Sequence, residues 1–271
     1  SPMSRGLGDV YKRQIVSRVL DAAAEVGVSH VCVLSTAMVY GAWVDNPVPL
    51  TEDADVRPNP DFPWAITRAE VERAVLEWGS GREAAVSILR PTAVVTDDTL
   101  GRLAQVLHTA RVGIAADGDP PVQYLHVDDL AAAVVAAIQT RFDGVANVAP
   151  DSWIPPDALA DLEGPQARVR VPAWAARAVA AVRQRSGLAP IPPGIVPYTS
   201  HSWVVANDRI RALGWEADYS NEEAWVVSHD PSPLEQLPAR RRQELALGAA
   251  AALAIGCAVG AVLVLRRLRR T

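Results

Sequence analysis

Short apolar runs alternate with helix-length segments along the first half of the chain, and this alternation restricts the fold more than any other feature. The run His30–Leu34 (HVCVL) follows a segment, Ile15–Val26, whose apolar residues repeat with a helical period. A helical pattern at Thr67–Trp78 and a strand-like run at Ala84–Leu89 form a second such pair. Uninterrupted apolar strands are typical of parallel sheets that are covered on both faces. The pattern therefore predicts an α/β fold with a doubly wound parallel sheet.

The alternation continues and then changes character after Gly144. The further predicted elements are a helix at Leu100–Thr109, a strand at Val122–Val127, a helix at Asp128–Thr140, a strand at 145–149, helices at Pro156–Leu162, Pro172–Arg185 and Asp208–Leu213, a proline-rich loop at Leu188–Pro197, and a helix opened by the capping box Ser220–Glu223. We assign residues 15–143 to the main sheet domain. Residues 144–229 are assigned to a small α/β lobe that is able to exchange strands with the main sheet.

The first 14 residues differ from the rest of the chain in composition. Asp9–Gln14 (DVYKRQ) back-translates to GATGTGTATAAGAGACAG, which resembles the mosaic-end adapter of transposase-based sequencing libraries. Lys12, the single lysine of the sequence, lies in this stretch. We therefore expect residues 1–14 to be a sequencing artefact, with a basic N-terminal arm as the alternative.

An apolar segment near the C-terminus is long enough to cross a bilayer. Leu245–Leu265 has 21 residues without a charge, a helix of about 30 Å. The segment is apolar on every face, whereas a soluble amphipathic helix would carry a polar stripe. Arginines flank both ends, so the positive-inside rule leaves the orientation open. We predict a proline-containing linker over 230–244, a transmembrane helix over 245–265 and a basic tail over 266–271.

Gly256 and Gly260 in this segment have the GxxxG spacing at which two membrane helices pack closely. Such packing would give a homodimer. The spacing also arises easily by chance in a span rich in glycine and alanine, so a monomeric anchor fits equally well.

Charge and cysteine content exclude several classes of partner. The formal net charge of −5 argues against a nucleic-acid surface, which needs clustered arginine and lysine. Cys32 and Cys257 both lie in apolar segments, so we expect no disulfide framework and a reducing compartment. The five histidines lack a metal-ligand spacing such as HExxH. We predict no metal site.

Six local motifs occur in a defined order. They are VCVLSTAMVYG at Val31–Gly41, PLTED at Pro49–Asp53, PNPDFPWAITRAEVE at Pro58–Glu72, ILRP at Ile88–Pro91, YLHVDDLA at Tyr124–Ala131 and NDRIRALGW at Asn207–Trp215. Together they resemble the extended short-chain dehydrogenases of the NAD(P)-dependent epimerase/dehydratase family. The resemblance covers nearly all of Ile15–His229 and implies that residues 15–143 are the C-terminal part of a Rossmann-like, NAD(P)-binding domain.

The resemblance implies roles for individual residues. A Thr or Ser four residues before the tyrosine of VYG contacts the substrate oxygen in that family, and here it is Thr36. A Tyr-x-x-x-Lys pair then exchanges a proton with the substrate and holds the nicotinamide ribose; its positions are occupied by Trp64 and Arg68. Ser35 and Pro91 would lie beside the nicotinamide, although both also fit simple packing at strand ends.

Trp64 changes what this site can do. An indole N–H is a donor only and does not titrate usefully, so it cannot replace a phenol as general acid or base. Arg68 keeps the positive charge with planar geometry. Three interpretations stay open: another group such as Tyr40, Thr36 or His126 transfers the proton, the site binds without catalysis, or the motif is aligned wrongly.

Three further positions have both a functional and a structural interpretation. Arg90 would meet a substrate phosphate or close an ion pair. His126 would contact the substrate or lie as a satisfied histidine in the core. Asp128 and Asp129 precede an alanine-rich helix, so a role in capping the helix is favoured over catalysis.

The family's glycine-rich G-x-x-G-x-x-G turn, which binds the pyrophosphate, does not occur in the sequence. We expect about 90 to 100 residues, or three βα units, to precede Ile15 in the intact protein, and this chain to bind NAD or NADP weakly or not at all. The intact protein is interpreted as an oxidoreductase, epimerase or dehydratase acting on a nucleotide-sugar or related substrate. The alternative is a degenerate binding protein, a sensor or scaffold. The nicotinamide pool places the folded domain on the cytoplasmic face of a membrane.

Overall fold

The computed structural model describes residues 15–111, 113–164, 168–187 and 192–229. The helices are α1 (15–26), α2 (Pro63–Gly79), α3 (Gly101–Arg111), α4 (Val127–Gln139), α5 (Pro156–Glu163), α6 (Ala173–Ser186), α7 (Asp208–Arg211) and α8 (Asn221–Val227). The strands are β1 (His30–Leu34), β2 (Ala85–Pro91), β3 (Ala93–Val95), β4 (Gly113–Ala116), β5 (Tyr124–His126), β6 (Gly144–Val148) and β7 (Arg168–Val171). Two 3-10 helices cover Ala37–Tyr40 and Pro193–Thr199.

The main sheet has the order β1-β2-β6, and all its strands are parallel. Leu89 at the centre of the sheet pairs with Leu34 on one side and with Ala146 on the other. Parallel neighbours need a crossover connection, and helices α2 and α4 lie in the two connections between these strands. The predicted α/β sheet with Rossmann-like alternation is confirmed.

Two smaller parallel pairs extend from the main sheet region. Strand β3 pairs with β5, and β4 pairs with β7. The β4–β7 pair joins residues 113–116, which we had assigned to the main domain, to the small lobe. Conversely, β6 lies within the predicted lobe but pairs with β2 in the main sheet. The two predicted regions therefore interleave, because hydrogen bonding between strands does not follow the chain boundary at residue 143.

The two faces of β2 are covered by different helices, as a doubly wound sheet requires. Ile88 packs in a cluster with Leu20 of α1 and Trp78 of α2. The next residue, Leu89, packs instead with Ala133 of α4. Successive side chains of a strand point to opposite faces, so α1 and α2 lie on one face of the sheet and α4 on the other.

A third apolar cluster lies beneath the smaller elements and is rich in aromatic residues. It includes Phe62, Tyr198, Trp203 and Trp225, all buried. The segment from Pro193 to Thr199 contributes to this cluster as a 3-10 helix, where we had predicted a loop. Proline fixes φ near −65°, a value that a 3-10 helix accepts. Burial of the segment in the apolar cluster further stabilises this conformation.

Other boundaries also differ from the predicted ones, most clearly at the starts of α2 and β5. Helix α2 begins at Pro63 instead of Thr67, because proline is favoured in the first turn of a helix, where its missing N–H has no partner to lose. Strand β5 begins at Tyr124; Val122, predicted as its first residue, forms an isolated bridge with Ile154. The capping box at Ser220 and Glu223 is confirmed.

Among the residues that the structure describes, no helix is long and apolar enough to cross a membrane. The predicted transmembrane segment 245–265 lies outside those residues, as do segments 1–14, 230–244 and 266–271. These four assignments stay predictions.

Candidate functional site

Several of the predicted site residues lie together where the strands of the main sheet end. Ser35 and Thr36 follow β1 directly, and Pro91 is the last residue of β2. The amide of Ser35 donates to the carbonyl of Leu89 over 2.8 Å, which holds the two strand ends side by side. Ligands of open α/β sheets bind outside the carboxyl ends of the strands, so this edge is the candidate site.

Helix α2 places Trp64 and Arg68 at the same edge. The two residues are four positions apart, so their side chains lie on one face of the helix. Arg68 Nη1 donates to the carbonyl of Leu34 over 3.1 Å, at the end of β1. Its guanidinium carbon lies 5.7 Å from the centre of the Trp64 ring, within cation–π range. Trp64 is 38 % exposed, so part of the indole faces solvent.

A buried ion pair lies behind this edge. Arg90 Nη2 is 2.6 Å from Glu72 Oε2, and Arg90 Nε donates to both carboxylate oxygens. The hydroxyl of Ser35 donates to the same carboxylate. Arg90 therefore has its guanidinium committed inside the protein, and a contact with a substrate phosphate would require it to leave Glu72. Its substrate role stays a prediction, and the ion pair is the interaction that the structure contains.

Tyr40 completes this buried network. Its hydroxyl donates to Asn147 Oδ1 over 2.8 Å and accepts from Arg90 Nη1 over 2.7 Å. Burial raises the pKa of Tyr40 above its ordinary value, because the charged phenolate is poorly solvated there. Tyr198 is buried as well; its hydroxyl donates to the Met38 carbonyl, and burial raises its pKa strongly. Neither phenol is free to exchange a proton with a ligand.

Thr36 is the N-cap of the short 3-10 helix Ala37–Tyr40. Its Oγ1 accepts the amide N–H of Met38 at 3.3 Å, and the residue is buried. One lone pair of the hydroxyl is thus used by the backbone, while the hydroxyl proton stays available as a donor. A hydroxyl that is able to donate in this way has the hydrogen-bonding role needed to contact a substrate oxygen.

His126 lies at the end of β5, and its described contacts are with a different set of residues. Its Nδ1 accepts the amide N–H of Asp128, its Nε2 is 3.4 Å from an Asp97 carboxylate oxygen, and its ring stacks on Tyr219 at 4.1 Å. His126 is thereby the N-cap of α4, a role we had given to Asp128 or Asp129. The carboxylate of Asp129 accepts the amides of Asp218 and Tyr219 instead. An imidazole nitrogen reaches the amide of the second helical residue because the histidine immediately precedes the helix.

Glu72 and Asn147 were not singled out from the sequence. Glu72 does carry a signal: it lies one turn after Arg68 on a helix that packs on the sheet, where an unpaired carboxylate would be costly. Such a position demands a buried cation, and Arg90 on the adjacent strand supplies it. Asn147 carries no comparable signal, because its role depends on where β6 pairs.

The residues at this edge fit one end of a dinucleotide. Arg68 donates through Nη1 to the carbonyl of Leu34. Its other guanidinium nitrogens are able to donate to ribose hydroxyls. The exposed part of the Trp64 indole offers an aromatic surface beside it. A glycine-rich turn for the pyrophosphate does not occur among the described residues. The fit is therefore to the nicotinamide riboside end.

A groove of about 460 Å³ lies between α1 and α2, with Val71 and Trp78 in its walls. None of the predicted site residues lines it. In the part of the chain that the structure describes, no group of three or more His, Cys, Asp or Glu residues is arranged to hold a metal ion.

Comparison with known families decides the assignment. The model of the NAD dependent epimerase/dehydratase family matches residues 10–149, which is more than half of the chain. The chain belongs to this family. In this epimerase/dehydratase chain, the matched residues include β1, α2 and β2, which carry the candidate site. The match extends through β6. The predicted cofactor class, NAD or NADP, agrees with this membership.

Solved structures of low sequence identity share the fold. UDP-glucose 4-epimerase of Thermus thermophilus, in complex with NAD, has a TM-score of 0.56 at 20 % identity, over 79 % of this chain and 67 % of that one. A short-chain dehydrogenase/reductase superfamily protein of Agrobacterium tumefaciens with bound NAD gives 0.59 at 20 % identity, over 92 % and 78 %. dTDP-glucose 4,6-dehydratase of Bacillus anthracis with NAD gives 0.56 at 14 %, over 79 % and 64 %. The epimerase/dehydratase chain thus spans about two thirds of several of these proteins. No curated protein sequence matches it significantly.

Proposed function

We propose that this protein binds NAD or NADP together with a nucleotide-sugar-like ligand, and that its site has lost the phenol-based proton transfer of its family. The observation that carries the proposal is Trp64, a donor-only indole held beside Arg68 at the end of β1. Tyr40 and Tyr198, both buried and hydrogen-bonded, do not replace the missing phenol. The protein would then act as a sensor or scaffold for its ligand.

The ligand class is proposed from similarity to neighbouring structures. One neighbour, MoeE5, is solved with UDP-glucuronic acid and NAD, and also with UDP-glucose and NAD, at 20 % identity. The cofactor, when bound, supplies a hydride acceptor or donor. In this chain Arg68 would hold the ribose, and Ser35 and Pro91 would line the nicotinamide. Thr36 would donate a hydrogen bond to a sugar oxygen.

An active oxidoreductase, epimerase or dehydratase is the second candidate. Thr36 favours it, because its hydroxyl stands at the end of β1 with its proton uncommitted to the backbone. Arg68 also keeps a fixed cation at the same edge. In such an enzyme Thr36 would pass the proton between the substrate and a further group.

The experiment compares the intact wild-type protein with its double variant Trp64→Tyr/Arg68→Lys. NAD and NADP binding is measured by calorimetry, and turnover of UDP-glucose by product analysis. We expect both proteins to bind the cofactor and only the variant to gain turnover, since a positioned general acid contributes about 10²–10⁴ in rate. Trp174→Tyr makes the same chemical change on α6 and should gain nothing.

The outcomes separate the two candidates. Turnover by the wild type that the double variant does not increase would overturn the binding proposal in favour of the enzyme. Absence of cofactor binding in both proteins would contradict both candidates.

We further propose that the protein is anchored by a single C-terminal helix over 245–265 with its folded domain on the cytoplasmic face, as one copy or as a homodimer through Gly256 and Gly260. The support is the length and apolarity of the sequence. Protease protection of the folded domain in sealed vesicles tests the orientation. Cleavage from the side away from the cytoplasm would contradict it.

A further inference from the structure

Helix α6 presents an unusual face to solvent. Trp174 is 75 % exposed and Val182 is 63 % exposed. Ala178 lies between them in sequence and is also exposed. Residues four apart lie above one another on a helix, so the three form an apolar line along its outer side. The other side, with Ala176 and Ala180, is buried in the core.

The same helix is basic. Its 14 residues include Arg177, Arg183 and Arg185 and no acidic residue. Arg177 Nη1 is 3.5 Å from an Asp61 carboxylate oxygen, yet its side chain is 44 % exposed. The protein as a whole is acidic, with a net charge of −5, so α6 stands out as a local concentration of positive charge.

We propose that the outer face of α6 docks on a lipid bilayer surface that carries anionic headgroups. The Trp174 indole and the Val182 side chain enter the boundary between headgroups and acyl chains, and Arg177 and Arg185 contact lipid phosphates. Arg183 lies on the buried side of the helix beside Ala176 and Ala180 and takes no part. A basic helix with exposed tryptophan on its surface has the composition of an interfacial membrane helix, and tryptophan favours the membrane–water boundary.

The sequence of this chain favours a membrane over other acidic partners. A nucleic acid backbone would satisfy the arginines but would leave Trp174 and Val182 in water, whereas a bilayer surface covers both. The predicted linker 230–244 has 15 residues, a reach of about 50 Å when extended. The anchor proposed above carries this step, because a domain followed by that linker and a membrane span would be kept close to a bilayer. The inference does not depend on which ligand the site of Trp64 binds.

The test uses the full-length protein in lipid nanodiscs of phosphatidylcholine, with and without about 30 % phosphatidylglycerol, a lipid whose negative charge attracts basic segments. Backbone hydrogen exchange of residues 173–186 is followed by mass spectrometry. We expect slower exchange in the anionic discs only, and loss of this protection at about 0.5 M salt, which screens exposed charges. Each arginine near an anionic surface contributes roughly fivefold to association. The variant Arg177→Gln/Arg185→Gln should therefore dock roughly 25-fold less.

A matched double variant, Arg18→Gln/Arg102→Gln, removes the same charge from exposed positions on α1 and α3, and it should keep the protection. Equal exchange in both kinds of disc, or protection that survives loss of Arg177 and Arg185, would overturn the proposal. Protection by an oligonucleotide but not by anionic discs would assign the face to nucleic acid and also overturn it. If the protein does not enter discs, flotation with vesicles of the same lipids gives the answer: anion- and arginine-dependent flotation supports docking, and its absence contradicts it.

Discussion

Arg90 and Glu72 form an ion pair with a separation of 2.6 Å between Nη2 and Oε2, and their side chains are only 5 % and 3 % exposed. The pair joins strand β2 to helix α2 and is hydrogen-bonded to the hydroxyls of Tyr40 and Ser35. It therefore links the core of the sheet to the edge at which Ser35 and Arg68 lie.

Removal of one partner should be strongly destabilising. We expect Arg90→Met to lower the free energy of unfolding by about 3–5 kcal/mol, because it leaves the Glu72 carboxylate buried without its cation. The double variant Arg90→Met/Glu72→Leu should recover much of that loss. Urea denaturation followed by circular dichroism measures both.

The exposed pair Arg73 and Glu77, at 3.9 Å on the same helix, provides the control. Arg73→Met should cost less than about 1 kcal/mol. A loss at Arg90 no larger than that at Arg73 would contradict the assigned role of the buried pair.

The hydroxyl of Tyr40 should contribute to the stability of the fold and not to ligand binding. Tyr40→Phe removes the hydrogen bond from Arg90, so we expect a loss of about 1.5–3 kcal/mol, the range for hydrogen bonds to charged groups. Cofactor affinity measured by calorimetry should not change. The control is Tyr219→Phe, because the Tyr219 hydroxyl makes no hydrogen bond within the described residues. This variant should leave stability nearly unchanged. Loss of turnover in Tyr40→Phe, in a protein that turns over substrate, would instead identify Tyr40 as the proton donor.

Gly194 should tolerate no side chain. A Cβ there would overlap the backbone oxygen of Asp61 and lie 2.8 Å from the amide nitrogen of Phe62. We expect Gly194→Ala to lower the unfolding free energy by about 3 kcal/mol, since the backbone must move to admit the methyl group. Gly187 at the end of α6 has φ of +71° and open space around its Cβ, so Gly187→Ala should cost only about 1–2 kcal/mol. Equal losses at the two positions would show that steric contact with Asp61 is not the cause.

Acid should weaken the cap of α8. Hydrogen bonds from the backbone and the hydroxyl of Ser220 hold the pKa of Glu223 below its ordinary value of 4.5. A lowered pKa means that the ionised carboxylate stabilises the fold; this contribution is present above pH 4.5 and is lost as the pH falls through the lowered pKa. The stability difference between wild type and Glu223→Gln should therefore be constant near neutral pH and shrink below pH 4.5. Denaturation curves across this range test it, with Glu222→Gln in the same turn as the control for net charge. A difference that is independent of pH would refute it.

The period of the apolar residues was sufficient to predict the elements of the main sheet. Strand β2 (Ala85–Pro91) is apolar over most of its length because it is the central strand of the main sheet and both its faces are covered, a local property that sequence records. Strands β3, β4 and β7 were not predicted. Each has only three or four residues, too few for a period to be recognised, and each is a strand because of the neighbour it meets.

By itself, the sequence determined the alternation of strands and helices and the capping box at Ser220, because each of these is a matter of residue type at short spacing. The sequence also predicts, by resemblance, that Trp64 stands in the place of the family's tyrosine. Only the tertiary structure decided that Arg90 is committed to Glu72, that the Tyr40 hydroxyl is enclosed, and that β6 belongs to the main sheet. These pairs are separated by 18 residues or more along the chain, for example 107 between Tyr40 and Asn147. A charged side chain or a hydroxyl is able to form hydrogen bonds with many different groups. Which of them it contacts depends on the residues that the folded backbone brings next to it.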